Sequence, residues 1–192
     1  MTVTHSPLLL TLGYGKRTID AVIELLERYG VQFLVDVRSV PWSRYHPDFS
    51  HDALKGHLRA HDIAYLFLGE ELGGRPNDAG CYDQNGRVDY EACRRRPAFQ
   101  HGIQRLCTAW EQGQRLALLC SESRPQDCHR SKLLGVALAE EGIEVTHLDE
   151  DGTPMTQPEV MDRLLGGQLS LFDDLPSGKA ARSRGQYRPV DE

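Results

Sequence analysis

The stretch LALLCSESRPQDCHRSKLLGVALAEE, residues 116–141, places a strand, a turn and a helix in immediate succession. Residues 116–119 form a short apolar run, which is typical of a buried strand. In residues 131–141 leucines and alanines recur at helical spacing, and Gly142 follows as a helix stop. The turn between them concentrates reactive and charged side chains, namely Cys120, Glu122, Arg124, Asp127, Cys128, His129 and Arg130. In parallel α/β sheets, ligands usually bind at such turns.

Apolar runs and helical repeats alternate through the rest of the first 150 residues. The predicted strands cover residues 8–12, 33–37, 63–68, 116–119 and 143–148. Helical spacing of apolar residues predicts helices between most of these strands. The alternation predicts an α/β fold of three layers, in which a mainly parallel sheet of about five strands carries helices on both faces.

Composition divides the chain into a domain of residues 1–150 and a tail of residues 151–192. The tail is rich in Pro, Gly, Asp and Arg, and we expect most of it to be disordered. No run of about 18 apolar residues is present, so no membrane association is expected. Five cysteines at irregular spacing do not resemble a disulfide framework, which favours the reducing cytoplasm. The net charge of −6 excludes a global basic field that would attract nucleic acid.

Four separated motifs resemble those of a bacterial family, the domain of unknown function family 488 (DUF488). They are Thr-Leu-Gly-Tyr at residues 11–14, Val-Asp-Val-Arg-x-x-Pro-x-Ser-Arg at 35–44, Leu-Gly-Gly-Arg at 72–75, and Cys-x-Glu-x-x-Pro-x-x-Cys-His-Arg at 120–130. The resemblance covers about residues 8–150 and implies a compact α/β fold. It implies no particular reaction, so a function has to be argued from the residues.

Candidate site residues follow from the topology, because parallel strands bring their carboxyl ends to one edge of the sheet. The catalytic candidates are Asp36, Glu122, Cys128 and His129. The ligand-binding candidates are Tyr14, Lys16, Arg38, Arg44, Arg75, Cys120 and Arg130. Asp36 ends a buried strand, so it either forms an ion pair with Arg38 or Arg44 that braces the following loop, or serves as an acid/base group.

The two cysteines of the turn leave three interpretations open. A helix N-terminus and Arg130 would lower the pKa of a thiol, which favours nucleophilic catalysis. However, the phosphatase pattern of Cys, five residues and Arg fails, because Gln126 stands at the arginine position when counted from Cys120. Both cysteines could instead be small packing residues. Zinc is a further option, although the spacing is not Cys-x-x-Cys, and no metal ligand is predicted. The cofactor remains unknown.

Anion recognition is the simplest role for the basic residues of the turn. His129 and Arg130 open a helix, whose free N–H groups favour anions, and the arginines could bind phosphate in a bidentate manner. Trp42, Tyr45 and Tyr14 could stack on a base, or could simply anchor their loops. A phosphate-bearing ligand, nucleotide or nucleic-acid backbone therefore fits the predicted edge.

The tail contains Gln168-Leu169-Ser170-Leu171-Phe172, which resembles the pentapeptide by which bacterial proteins bind the DNA polymerase sliding clamp. Gln168, Leu169, Leu171 and Phe172 would make the contacts with the clamp. The acidic context after Phe172 is typical of a linear motif, whereas the alternative is a segment that docks back on the domain.

Three functional hypotheses follow. The first is a nucleotide- or nucleic-acid-processing factor of DNA repair or replication, recruited to the sliding clamp by its tail. The second is a non-catalytic nucleotide or nucleic-acid binding module recruited in the same way. The third is a thiol- or metal-dependent enzyme that acts on a small molecule. The sequence does not decide whether the chain is an enzyme.

Overall fold

A single six-stranded sheet forms the centre of the computed structural model, which describes residues 6–166 and 182–187. The strands are β1 (Leu8–Gly13), β2 (Phe33–Asp36), β3 (Ala64–Phe67), β4 (Arg115–Cys120), β5 (Thr146–Leu148) and β6 (Pro154–Thr156). Their order across the sheet is β3-β2-β4-β1-β5-β6. The first five strands are parallel, and β6 pairs with β5 in the antiparallel sense.

Helices connect the strands and cover the sheet. They are α1 (Ile19–Arg28), α2 (His51–Arg59), α3 (Gly69–Leu72), α4 (Tyr90–Arg94), α5 (Pro97–Glu111), α6 (Val136–Glu140) and α7 (Gln157–Leu165). A π-helix, Arg130–Gly135, precedes α6 directly. The single α-helix that the spacing predicts after the turn is therefore half π-helix, and π segments often occur at functional sites. Among the described residues, no helix is both long and apolar enough to cross a bilayer.

The central strand β4 shows why the sheet lies between two helical layers. Its side chains alternate between the two faces, and both faces are apolar. Leu116 and Leu118 pack in a core with residues of α5 and α6. Ala117 and Leu119 pack on the opposite face with residues of α1 and α2. The predicted three-layer α/β fold with a mainly parallel sheet is thus confirmed.

The sheet continues beyond residue 150, where the sequence suggests that the tail begins. Pro154–Thr156 adds the antiparallel edge strand β6, which the sequence does not predict, and α7 follows at once. Thr156 caps α7 in a capping box, because its hydroxyl accepts a hydrogen bond from the Glu159 amide while the Glu159 carboxylate accepts one from the Thr156 amide. A three-residue strand among Asp, Gly and Pro residues is too short to give a periodic signal.

Candidate functional site

A polar pocket of about 260 Å³ opens at the carboxyl ends of β1, β2 and β4. The predicted site residues that line it are Tyr14, Arg38, Arg75, Cys120, Glu122, Cys128 and His129. Four other predicted residues, Asp36, Lys16, Arg44 and Arg130, are not among its lining residues. The structure therefore brings together at least one residue from each of the four motifs, at the sheet edge that the topology indicates.

The end of β4 places Cys120 at the base of this pocket. The amides of Tyr14 and Gly15 extend the pairing of β1 with this strand, since they donate to the carbonyls of Cys120 and Ser121 at 3.0 and 3.1 Å. Gly13 permits this close approach: a Cβ atom there would lie 1.6 Å from the carbonyl oxygen of Glu122. The glycine of the first motif thus fixes the loop that carries Cys120.

Cys120, Cys128 and His129 form what we call the thiol–imidazole cluster. The Sγ atoms of Cys120 and Cys128 are 2.7 Å apart. The Nδ1 atom of His129 lies 3.7 Å from Cys120 Sγ and 3.5 Å from Cys128 Sγ. All three residues are buried but line the pocket, so their reactive atoms face one shared space.

Two contacts fix the imidazole of His129 in this cluster. Its Nε2 atom is 3.1 Å from the carbonyl oxygen of Val37, which can only accept a hydrogen bond. Nε2 therefore carries the proton in the neutral ring, and Nδ1 presents its lone pair to the two sulfurs. Gly74 lies directly against the imidazole, since a Cβ atom there would lie 2.7 Å from Nδ1. The glycine of the third motif thus makes room for the imidazole.

The surroundings of the two thiols push their pKa values in opposite directions. A hydrogen bond from the Cys128 thiol holds the pKa of Cys120 well below its ordinary value, and His129 acts in the same sense when its ring is protonated. The backbone N–H of Glu122 contributes in the same sense. Burial, followed by the neighbouring Cys120, raises the pKa of Cys128 well above its ordinary value. The cluster therefore stabilises one thiolate, on Cys120, next to one thiol, on Cys128.

The same three residues could also hold a metal ion. Their Sγ and Nδ1 atoms lie within 4.8 Å of one another, and two cysteines with one histidine form a known zinc ligand set. Tetrahedral zinc with bonds of about 2.3 Å would separate two sulfur ligands by about 3.8 Å. The observed Sγ–Sγ distance of 2.7 Å is much shorter than that, whereas the Nδ1–Sγ distances of 3.7 and 3.5 Å match the roughly 3.6 Å between zinc ligands, so only the sulfur pair argues against a zinc site.

Asp36 lies beneath the pocket in a buried ion pair. Its two oxygens accept hydrogen bonds from Arg38 Nε at 2.8 Å and Arg38 Nη2 at 2.6 Å, and Tyr65 donates a third at 2.8 Å. Arg38 also donates to the carbonyl of Phe49 at 2.7 Å. These contacts brace the loop after β2, and the carboxylate is fully buried and does not line the pocket. They support the bracing role for Asp36, while its acid/base role stays a prediction.

The remaining basic candidates lie away from the pocket. Lys16 and Arg44 are exposed. Arg130 is fully buried, and its Nη2 donates to the carbonyl of Ser123 at 2.7 Å, a contact that supports the turn between the two cysteines. Within the described part of the chain, Arg130 Nε and Nη1 have no hydrogen-bond partner. Among the predicted arginines, Arg38 and Arg75 remain at the pocket.

The aromatic candidates differ in their availability to a ligand. Tyr14 is buried and stacks on Phe49, with ring centroids 4.3 Å apart, so one of its faces is occupied. Trp42 lines the pocket mouth with 63% of its surface exposed. Tyr45 is 87% exposed, although it does not line the pocket. Such exposure does not support loop anchoring for Trp42 and Tyr45.

Residues 182–187, which we call the C-terminal segment, form one wall of the pocket. The backbone amide of Ser183 donates to the carbonyl of Val88 at 3.0 Å, and the Val88 amide donates to Ser183 Oγ at 2.9 Å. The Tyr187 ring lies under the guanidinium of Arg75, with 4.0 Å from the Arg75 Cζ atom to the ring centroid. Isolated contacts of this kind give no sequence pattern, so sequence reasoning missed Ser183, Arg184 and Tyr187.

Arg184 of the C-terminal segment neutralises the acidic side of the pocket. Its guanidinium lies 3.1 Å from a carboxylate oxygen of Asp127 and 3.6 Å from one of Glu122. The catalytic candidate Glu122 therefore stands at the rim in an exposed ion pair. Tyr90, whose pKa burial raises, also lines the pocket and carries no sequence signal.

The pentapeptide at residues 168–172 lies outside the described residues, so its contacts with the sliding clamp stay a prediction.

Comparison with known proteins identifies the family of this chain. Neither the curated proteins nor the solved structures compared with the chain gave a match. A family model described as "Domain of unknown function DUF488" matches residues 18–137, which include most of the pocket lining and all of the thiol–imidazole cluster. The chain therefore belongs to the DUF488 family.

Proposed function

We propose that the chain is a thiol-dependent enzyme in which Cys120 is the nucleophile. The observation that carries this proposal is the convergence of two sulfurs and one imidazole nitrogen at the base of an open polar pocket. A packing role for both cysteines would not require a histidine whose tautomer is fixed by Val37 and whose free nitrogen faces both sulfurs. A nucleophile, a base and an orienting hydrogen bond form the usual signature of an activated thiol.

The chemistry follows from the positions of the three groups. The Cys120 thiolate attacks an electrophilic atom of a ligand held in the pocket. The Nδ1 atom of His129 accepts the proton of Cys128 or passes one to the leaving group. The guanidinium of Arg75 at the rim favours a ligand with a phosphate or carboxylate group, and Trp42 offers a planar surface for a base. A molecule with a phosphate or carboxylate group, a nucleotide among them, is therefore the proposed ligand class.

Alkylation of the native protein tests this proposal directly. Iodoacetamide should modify Cys120 at neutral pH before the other cysteines, as identified by peptide mass spectrometry. The matched reference is Cys107 in α5, which is buried to a similar extent and whose pKa burial raises. Cys120→Ser should abolish the rapid phase, whereas Cys107→Ser should retain it. If Cys120 reacts no faster than Cys107 in the folded protein, the proposed nucleophile is refuted.

Recruitment to the sliding clamp is a second, separate proposal. It rests on the match of residues 168–172 to the clamp-binding pentapeptide, and it would connect the enzyme with DNA repair or replication in the cytoplasm. The free cysteines of the chain are consistent with a reducing compartment. A synthetic peptide of residues 163–175 should bind a bacterial clamp with a dissociation constant of order micromolar.

A paired substitution tests the clamp proposal. Leu171→Ala with Phe172→Ala should abolish binding of the peptide and of the full chain, because both side chains would fill an apolar groove. The melting temperature of the domain should stay unchanged. A double variant that still binds, or one that melts much lower, would contradict the linear-motif interpretation.

A further inference from the structure

We infer that Cys120 and Cys128 work together as a redox dithiol that exchanges with a disulfide-bearing ligand. This inference rests on the proposed function, because it takes Cys120 as the attacking thiolate and adds Cys128 as the resolving thiol. It specifies the bond that is broken, a disulfide, and the fate of both sulfurs of the thiol–imidazole cluster. Transient disulfides of this kind are the catalytic exception among cytoplasmic thiols.

The separation of the two sulfurs carries the inference. At 2.7 Å, the Sγ atoms are about 0.7 Å from the length of a disulfide bond and about 1.1 Å from the separation that tetrahedral zinc would impose. The structure places no atom between them. A small movement of either side chain would therefore bring the sulfurs to bonding distance when the ligand disulfide oxidises them, whereas a bound metal would have to force them apart.

The environment of the pair favours exchange rather than a permanent cross-link. Both residues line the pocket, so a ligand disulfide can approach Cys120 from the open side. The backbone amide of Arg130 lies 3.5 Å from Cys128 Sγ and can donate to it when it is a thiolate. His129 Nδ1 contacts both sulfurs and can move a proton between them. Thiolate character and access are the two requirements of thiol–disulfide exchange.

The reaction balances in two steps. First, the Cys120 thiolate attacks one sulfur of a disulfide R–S–S–R′, which forms a Cys120–S–R mixed disulfide and expels R′–S⁻. Then His129 Nδ1 removes the proton of Cys128, and the Cys128 thiolate attacks Cys120 Sγ, which forms the intramolecular disulfide and expels R–S⁻. The proton held by His129 passes to one leaving thiolate, and the other takes a proton from water. The ligand disulfide gains two electrons from the two thiols. A separate dithiol reductant later supplies two electrons that reduce the Cys120–Cys128 disulfide.

Glutathione disulfide is the probe for the test, and the full-length chain is used throughout. The wild-type protein should yield reduced glutathione and a Cys120–Cys128 disulfide, detected as a loss of two hydrogen masses in the linked peptides after acid quenching. Cys128→Ser should stop at the first step, so that a Cys120–glutathione mixed disulfide persists at least about tenfold longer than in the wild type. Cys120→Ser should give neither product, and Cys107→Ser should behave as the wild type.

The outcomes separate this inference from the proposed function. If a mixed disulfide at Cys120 accumulates in the wild type as in Cys128→Ser, Cys120 is a nucleophile but the dithiol inference is wrong. If Cys120 forms no mixed disulfide and resists alkylation, both proposals fail. Stoichiometric zinc in the purified wild type, lost in both Cys120→Ser and Cys128→Ser, would overturn the dithiol inference in favour of a metal centre.

Discussion

Replacement of Asp36 by asparagine tests whether the carboxylate braces the site or takes part in chemistry. Asp36 is fully buried, and Arg38 is 5% exposed, so the substitution leaves a guanidinium inside the protein without its counter-charge. Removal of one partner from a buried ion pair costs about 3–5 kcal/mol. Because asparagine keeps one acceptor oxygen, we expect a loss near 3 kcal/mol, or roughly 6–12 °C in melting temperature for a chain of this size.

The assay is urea unfolding followed by circular dichroism, with three reference variants. Glu150→Gln breaks the half-exposed pair with Arg124 and should change the free energy of unfolding by less than about 1 kcal/mol. Asp36→Asn combined with Arg38→Met should recover part of the loss, because no unpaired charge then stays buried. Tyr65→Phe should cost less than Asp36→Asn, since it removes one hydrogen bond to the carboxylate.

Two results would refute this reasoning. An Asp36→Asn protein that unfolds within about 1 kcal/mol of the wild type would show that the pair does not brace the fold. A protein of normal stability whose Cys120 no longer reacts with iodoacetamide would instead assign Asp36 a direct role at the pocket. The acid/base interpretation would then replace the structural one.

Three further predictions concern the pocket and its surroundings. Burial lowers the pKa of His147 from 6.5 to about 4, so the unfolded chain binds the proton first as the pH falls. The free energy of unfolding should then decrease by about 3 kcal/mol between pH 6.5 and 4, and His147→Gln should reduce this slope in urea titrations at a series of pH values. Gly74→Ala should displace the imidazole of the thiol–imidazole cluster and slow alkylation of Cys120 severalfold, whereas Gly56→Ala, where a Cβ meets nothing within 4 Å, should not. Arg184→Ala should loosen the C-terminal segment and accelerate alkylation of Cys120, and an unchanged rate would show that this wall does not limit access.

The fold could be predicted from the sequence because its main signals are local and repeated. Apolar runs such as residues 116–119 and helical stripes between them determine a parallel sheet with helices on both faces. The short edge strand β6 was not predicted, because three residues within a Pro- and Gly-rich stretch show no periodic pattern of apolar side chains. The π-helix escaped for a similar reason, since its apolar pattern differs little from that of an α-helix over six residues.

The site could be predicted only in part, because topology decides which sheet edge a residue reaches but not where its side chain points. The clustering of Cys120, Cys128 and His129 follows from one strand-to-helix turn and was accessible from the sequence. The burial of Arg130 away from the pocket could not be predicted from the sequence, because the same turn could present either side of its backbone to the ligand. The wall formed by Ser183 and Tyr187 depends on contacts across more than ninety positions of sequence.

All four motifs help to position the thiol–imidazole cluster. Gly13 lets the first strand approach the loop of Cys120. The Asp36–Arg38 pair braces the chain on both sides of Val37, whose carbonyl accepts the hydrogen bond from His129 Nε2. Gly74 leaves space for the imidazole that contacts both sulfurs. Each motif therefore contributes to the position of one reactive group, although only the last motif carries the thiols. A chain that needed these cysteines merely as core packing would gain nothing from a glycine placed against the histidine ring, which is why the arrangement supports chemistry at the thiol–imidazole cluster.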